Sequence, residues 1–395
     1  MTAKITFFPV DNGDMTLIRL TNAEATSLLI DCKIRAAADD PDDPTPNVAK
    51  ELRKRIKKDG QNRPFVDAML LSHPDEDHCL GLENHFWLGS VDDYPDDNKP
   101  QDEKRIIIRE MWSSPMVFRR AKSKAQKKGL TLCDDAKAFH AETRRRVRAN
   151  KKANFNVPDG DRILIMGEDE NGNPNDLAPI LVKSGDTRSG INATASSYLT
   201  WQLLGPMKKQ DNDEEEESLS KNGSSVIINF QIKASEYGVS TSRFLAGGDA
   251  GVAIWEKIWK NFCADEFAYD LLLAPHHCSW RTLSYDSWSE KGESAVVSAD
   301  ARSALAQNNY GAIIVSSSKP IKNDADDPPC IRAKREYTSI LDSAGLFKCT
   351  GEEPSKAKPA PLEIETTGSG FKIGIVAPAA VSVASNRQSR AGHGR

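Results

Sequence analysis

An apolar run from Val66 to Leu71 stops at Ser72-His73-Pro74-Asp75-Glu76-Asp77-His78. The run reads as a buried β-strand. Two imidazoles and two carboxylates then fall between His73 and His78. A turn at a strand end can aim all four side chains into one pocket. Nitrogen and oxygen donors in that combination suit zinc, manganese or iron, and their number suits two ions. His73, Asp75 and Asp77 share a face in extended backbone, while His78 turns toward a second position. The chain holds 7 histidines in 395 residues, so two in one short segment argue against a chance polar loop.

Two later segments repeat the pattern. Leu245-Ala246-Gly247-Gly248-Asp249 puts an acid after an apolar strand and a tight turn, which alone is a common arrangement. Leu271-Leu272-Leu273-Ala274-Pro275-His276-His277-Cys278-Ser279 ends a buried strand in paired histidines. A buried strand has few structural reasons to end that way. Ser279 is placed either to meet a phosphate or to close the turn.

Around these segments the chain reads as mixed α/β. Strand patterns fall at 5–10, 15–20, 27–31, 106–108, 163–165, 198–204, 225–232, 243–246, 312–316 and 370–376. Helical patterns cover 47–58, 251–262 and 331–344. The stretch from about 85 to 160 departs from this rhythm, with an acidic loop at 92–97 and a basic helical section over 118–152, and reads as an insertion. Residues 1–378 then form one domain and 379–395 a flexible tail. The formal net charge of −4 hides a segregation: Lys104 to Lys152 carries 16 basic and 4 acidic residues. Arg119, Arg120, Lys127 and Lys128, then Arg144, Arg145, Arg146 and Arg148, form two clusters of the kind that bind phosphate backbones. Nucleic acid is the partner this charge points to. The competing reading is a helical face that is solvated or docked on the chain's own acidic loops.

Composition excludes several classes. At 38% hydrophobic the chain can bury a core, and no apolar run approaches the roughly 20 residues that span a bilayer. The opening MTAKITFFPVDNGD lacks the regions of a signal peptide, so a cytoplasmic chain is expected. The 7 cysteines include no CxxC pair, which fits reduced thiols rather than a thiolate zinc site.

The order strand, HxDxDH, strand-GGD, strand-PHHxS resembles the metallo-β-lactamase superfamily, and within it the ComEC-like hydrolase domains of DNA-uptake competence proteins. FFPVDNGDMTLIRL followed by SLLIDC is similar to that group's opening hairpin, and Asn222-Gly223-Ser224-Ser225-Val226 to another of its hallmarks. The resemblance implies an α/β fold, a four-layer αββα sandwich with a basic helical insertion. It implies two divalent metal ions, Zn or Mn. His73 and Asp75 would serve the first and Asp77 and His78 the second, with Asp249 bridging and His276 or His277 as the late ligand. Asp77 and the non-ligating member of the pair, assigned to His277, would act in catalysis. Two features depart from the family: no histidine lies between 141 and 275, and Lys322 to Pro329 lacks the usual His-Pro. A metal-dependent phosphodiesterase or nuclease is therefore the leading expectation. A small ester, lactone or nucleotide hydrolase, and a catalytically weakened binding relative, are the alternatives.

Overall fold

In the computed structural model, residues 2–22, 24–40, 42–115, 132–168, 175–208, 221–235 and 240–374 are described. Arg119, Arg120, Lys127, Lys128, the whole acidic stretch at 211–217, and the tail at 379–395 lie outside them. The strands in chain order are β1 (Lys4–Phe7), β2 (Thr16–Arg19), β3 (Ser27–Ile30), β4 (Lys57–Lys58), β5 (Pro64–Leu71), β6 (Phe86–Trp87), β7 (Ile106–Ser113), β8 (Arg162–Met166) and β9 (Leu181–Val182). They continue with β10 (Thr187–Ser189), β11 (Leu199–Gly205), β12 (Ile227–Lys233), β13 (Thr241–Ala246), β14 (Tyr269–Leu273), β15 (Asn308–Ser316), β16 (Leu346–Cys349), β17 (Leu362–Thr367) and β18 (Gly370–Ile373).

The strands form two sheets, and with the helices they make a mixed α/β fold. The first sheet runs β18-β17-β1-β2-β3-β5-β7-β8-β9, with β4 and β6 pairing at its side. Its hairpin β1-β2-β3 is antiparallel, and β3, β5, β7, β8 and β9 run parallel. The second runs β10 to β16 in order, antiparallel up to β13 and parallel from β13 to β16. Period-two alternation assigns each strand two faces. Leu28 and Ile30 of β3 enter a cluster shared with Phe230, Phe244 and Leu271 of the second sheet, whereas Leu29 joins a cluster on the opposite face. Phe7 meets Phe244 edge-on at 5.9 Å, and Trp112 lies 4.6 Å from Trp201 between ring centroids, so the two sheets pack against one another. The cluster that holds Leu29 also takes in the helices Val48–Arg53 and Asp134–Lys152 on the first sheet, and a third holds Val252–Asn261 and Ile331–Ile340 on the second.

Several expectations need correction. The helix read over 47–58 ends at Arg53, because Lys57 and Lys58 pair with Phe65 and Pro64 as β4. The stretch 85–160 is not set apart from the sheet. Ile106–Ser113 extends the expected strand into β7, an inner strand paired in parallel with β5 and β8. The basic helix is described over Asp134–Lys152, with Ala136, Phe139, Thr143, Arg146 and Asn150 buried at alternating three- and four-residue steps. Among the described residues, no helix is long and apolar enough to cross a membrane.

Candidate metal centre

Parallel strands deliver the site residues from their C-terminal ends, where α/β sheets usually bind ligands. β3 ends before Asp31, β5 before Ser72 and His73, β13 before Asp249, and β14 before His276 and His277. Asp14 comes from the turn between β1 and β2. Main-chain bonds fix these loops together. Asp14 N–H donates to Asp77 O at 3.3 Å, Val226 N–H to Ser72 O at 2.9 Å, and His276 N–H to Gly248 O at 3.0 Å. Glycine is required at two of the joints. Gly13 has φ +151°, and a Cβ there would sit 2.6 Å from the Asp77 carbonyl oxygen. Gly248 has φ +49°, with the Ser72 and Ser225 side chains 3.1–3.2 Å from where a Cβ would lie.

The buried side chains of Asp14, His78, Asp249 and His277 each offer one donor atom, and these atoms all lie within 4.8 Å of one another. The group can hold a metal ion. Asp249 is the hub. Its Oδ1 lies 3.1 Å from His78 Nε2 and 3.5 Å from His277 Nε2. Its Oδ2 lies 3.6 Å from His73 Nε2 and 3.7 Å from His276 Nε2. Buried nitrogen and oxygen atoms normally find a hydrogen-bond partner. Here His73 Nε2, His78 Nε2, His277 Nε2, Asp14 Oδ1 and Asp249 Oδ1 are buried without one. Donor atoms that converge and stay unsatisfied are what a cation's ligands look like when the cation is left out of account. The residues present therefore fit a metal.

The surrounding polar groups set the imidazoles. His78 Nδ1 lies 2.8 Å from Asp31 Oδ2, which orients the ring and leaves Nε2 facing the hub. Ser72 in turn donates both its N–H and its hydroxyl to Asp31, at 2.7 and 2.6 Å. Burial opposes charge on His78 and His277. The carboxylates of Asp249, Asp31 and Asp14 outweigh it and hold both imidazoles well above their ordinary range. Burial likewise opposes ionisation of Asp249, but His277, His78 and His73 keep its carboxyl well below the usual value. His73 goes the other way, pushed down to about 4 by burial and by the neighbouring His78.

The histidine-acid segments named from sequence converge, and each residue takes a distinct position there. His277 stands inside the four-residue cluster and His276 at its mouth, with 16% of its side chain exposed. Asp75 lies 3.8 Å from His73, and Asp77, more exposed, reaches His277 Nε2 at 3.3 Å. Ser279 donates to Asp327 at 2.6 Å, so it closes the turn. Sequence pattern alone does not single out Asp14 and Asp31. The signal for both is an acid bordering a short buried strand of the opening hairpin. Two of the basic residues are taken up by the chain's own groups. Arg146 is 1% exposed, with its guanidinium on Glu142 at 2.7 Å and on the Ile108 and Arg162 carbonyls at 2.9 and 3.0 Å. Arg145 pairs with Glu142 and Asp161 at 2.7 and 2.6 Å. These two arginines seat the helix on β7 and β8, while Arg144 and Arg148 are exposed. No family model matches the chain, and no curated protein matches it.

Proposed function

We propose that the chain is a metal-dependent hydrolase of the metallo-β-lactamase type, an αββα sandwich whose site takes two divalent ions, Zn or Mn, and cleaves phosphodiesters. The observation that carries this reading is the division of Asp249 between two pairs of imidazoles, Oδ1 toward His78 and His277 and Oδ2 toward His73 and His276. A carboxylate placed in that way is built to bridge. Asp14, His78 and His277 would complete one position, and His73, Asp75 and His276 the other. Divalent cations at such positions supply Lewis acidity and make water a competent nucleophile near neutral pH.

The protein's own groups have separable tasks. Asp31 holds His78 in one orientation through Nδ1. Asp77 is kept ionised despite its burial by the adjacent His277, whose Nε2 lies 3.3 Å away, and by the nearby His78 charge, so it accepts hydrogen bonds and can orient an attacking water. His276 stands at the mouth of the site, where it would be a partly exposed ligand of the second position. Arg144 and Arg148, one helical turn apart and exposed, remain to contact a phosphate backbone.

The test is hydrolysis of labelled single- and double-stranded DNA and RNA with added manganese or zinc, beside His78→Ala and Asp249→Ala variants. Metal-dependent cutting that both variants lose is the expected result. The inward pairing of Arg145 and Arg146 favours a second reading, a small ester, lactone or nucleotide substrate. Metal binding without cutting of any polymer would decide for it.

A further inference from the structure

The two histidines at the end of β14 sit on an unusual backbone. His276 (φ 51°, ψ 46°) and His277 (φ 54°, ψ 35°) are followed by Cys278 at φ 67°, three successive left-handed residues, none of them glycine. Such a run persists only where the surroundings over-determine it. Its contacts lead to one segment. Asp327 Oδ1 accepts from Ser279 Oγ at 2.6 Å and from Trp280 N–H at 2.9 Å, the two residues directly after the run. Cys330 N–H donates to Cys278 O at 3.0 Å.

The same segment grips the other side of the site. Asn12 Nδ2 donates to Pro328 O at 2.9 Å, and Lys319 N–H donates to Asn12 Oδ1 at 3.2 Å. Ser317 Oγ donates to Gly13 O at 2.6 Å. Asn12 and Gly13 immediately precede Asp14, whose Oδ1 lies 3.6 Å from His277 Nδ1. One connection after β15 therefore ties down a turn of the first sheet and a loop of the second, and each carries a member of the buried cluster.

We infer that residues 317–330 act as a clamp that sets the separation of Asp14 and His277, with Asp327 as the positioning residue on the histidine side. The inference rests on reading the cluster as a metal site, but the clamp makes a claim about the imidazoles that holds without metal. Asp327 touches none of the donor atoms named above. It acts through Ser279 and Trp280 on the three left-handed residues. An asparagine in its place keeps the accepting oxygen, whereas an alanine removes it.

Cobalt(II) titration followed by visible absorption, on the intact chain, compares wild type with Asp327→Ala, Asp327→Asn and Ser279→Ala. Asp327→Ala should weaken cobalt binding by about 10- to 100-fold, the range typical of groups that orient ligands, and alter the ligand-field bands. Asp327→Asn should restore both, and Ser279→Ala, which keeps the Trp280 contact, should fall between. Histidine ring signals in nitrogen-15 NMR of the metal-free proteins supply the second readout. Those of His276 and His277 should move in Asp327→Ala and stay in Asp327→Asn. A folded Asp327→Ala protein with unchanged affinity, bands and ring signals would overturn the clamp. If Asp327→Ala does not fold, wild-type behaviour of Ser279→Ala would do the same. Wild type that takes up no cobalt would instead count against the metal reading, and the ring signals would then decide on the clamp.

Discussion

At the scale of single residues, the buried cluster balances opposite charges that each resist burial. His78 and His277 are held protonated by Asp249, Asp31 and Asp14, and Asp249 is held ionised by the imidazoles. A raised histidine stabilises the fold at low pH, and that contribution is lost as pH rises through its folded value. A depressed carboxylate does the reverse and loses its contribution as pH falls. His73, pushed down to about 4, favours the folded state only while neutral. The cluster's contribution to the metal-free protein should therefore be greatest around neutral pH, fall in acid as Asp249 protonates, and fall in alkali as His78 and His277 lose their protons. Urea unfolding of chelator-treated protein across pH checks this. Metal must displace the same protons, so its affinity should rise with pH and its uptake should release protons into the buffer. Stability that does not vary with pH would contradict this account of the cluster.

Among the elements, the helix Asp134–Lys152 repays closest attention. Its N-terminal residue is capped by Cys133, whose sulfur accepts from Ala136 N–H at 3.4 Å and lies 3.6 Å from Cys79 Sγ. The Cys79 contact brings the Cys133 thiol down to about 7, against some opposition from burial. Alkylation of Cys133 by iodoacetamide, followed by peptide mass spectrometry, should show a rate midpoint near that pH. A midpoint in the ordinary thiol range, about 8.5, would refute it. Further along, Arg146→Ala leaves the Ile108 and Arg162 carbonyls without their donor and Glu142 with Arg145 alone, and should cost about 1–3 kcal/mol in urea unfolding. The sequence disclosed this helix by its composition but not its orientation. Triple arginine reads as a solvent face until β7 and β8 are known to offer carbonyls beneath it. Elsewhere, β17 alternates Leu362, Ile364 and Thr366 inward, a signal present in LEIETT but too short to stand out. β16 carries no such pattern, because LFKC lies at a sheet edge and is only partly covered. The histidine-bearing strand ends were legible because chemistry is dense there. Asp14 and Asp31 were not, since each is one acid whose neighbours lie far off in sequence.

Considered whole, the molecule is joined near both ends of its described residues. β1 lies between β2 and β17, with Ile5 opposite Ile364 and Phe7 opposite Leu362. Ile364 is fully buried between the sheets, so Ile364→Ala should destabilise the protein by about 2–5 kcal/mol. The loss should appear at the candidate metal centre too, because β1 leads into the turn that bears Asp14. Parallel unfolding curves by tryptophan fluorescence and by metal release would show one transition, and two separate transitions would argue that the sheets are independent.

The division of the cluster between distant parts of the chain also sets a timetable. A ribosome that has made residues 1–100 has released Asp14, His73 and His78, but not the carboxylate at 249 that gathers them. The histidines at 276 and 277 follow, and the residues that hold their loop come only near 330. Until then the nascent chain carries these side chains ungathered. Assembly of the buried cluster is thus deferred until four-fifths of the polypeptide exists, and the final edge of β1 is covered only later, by residues beyond 360.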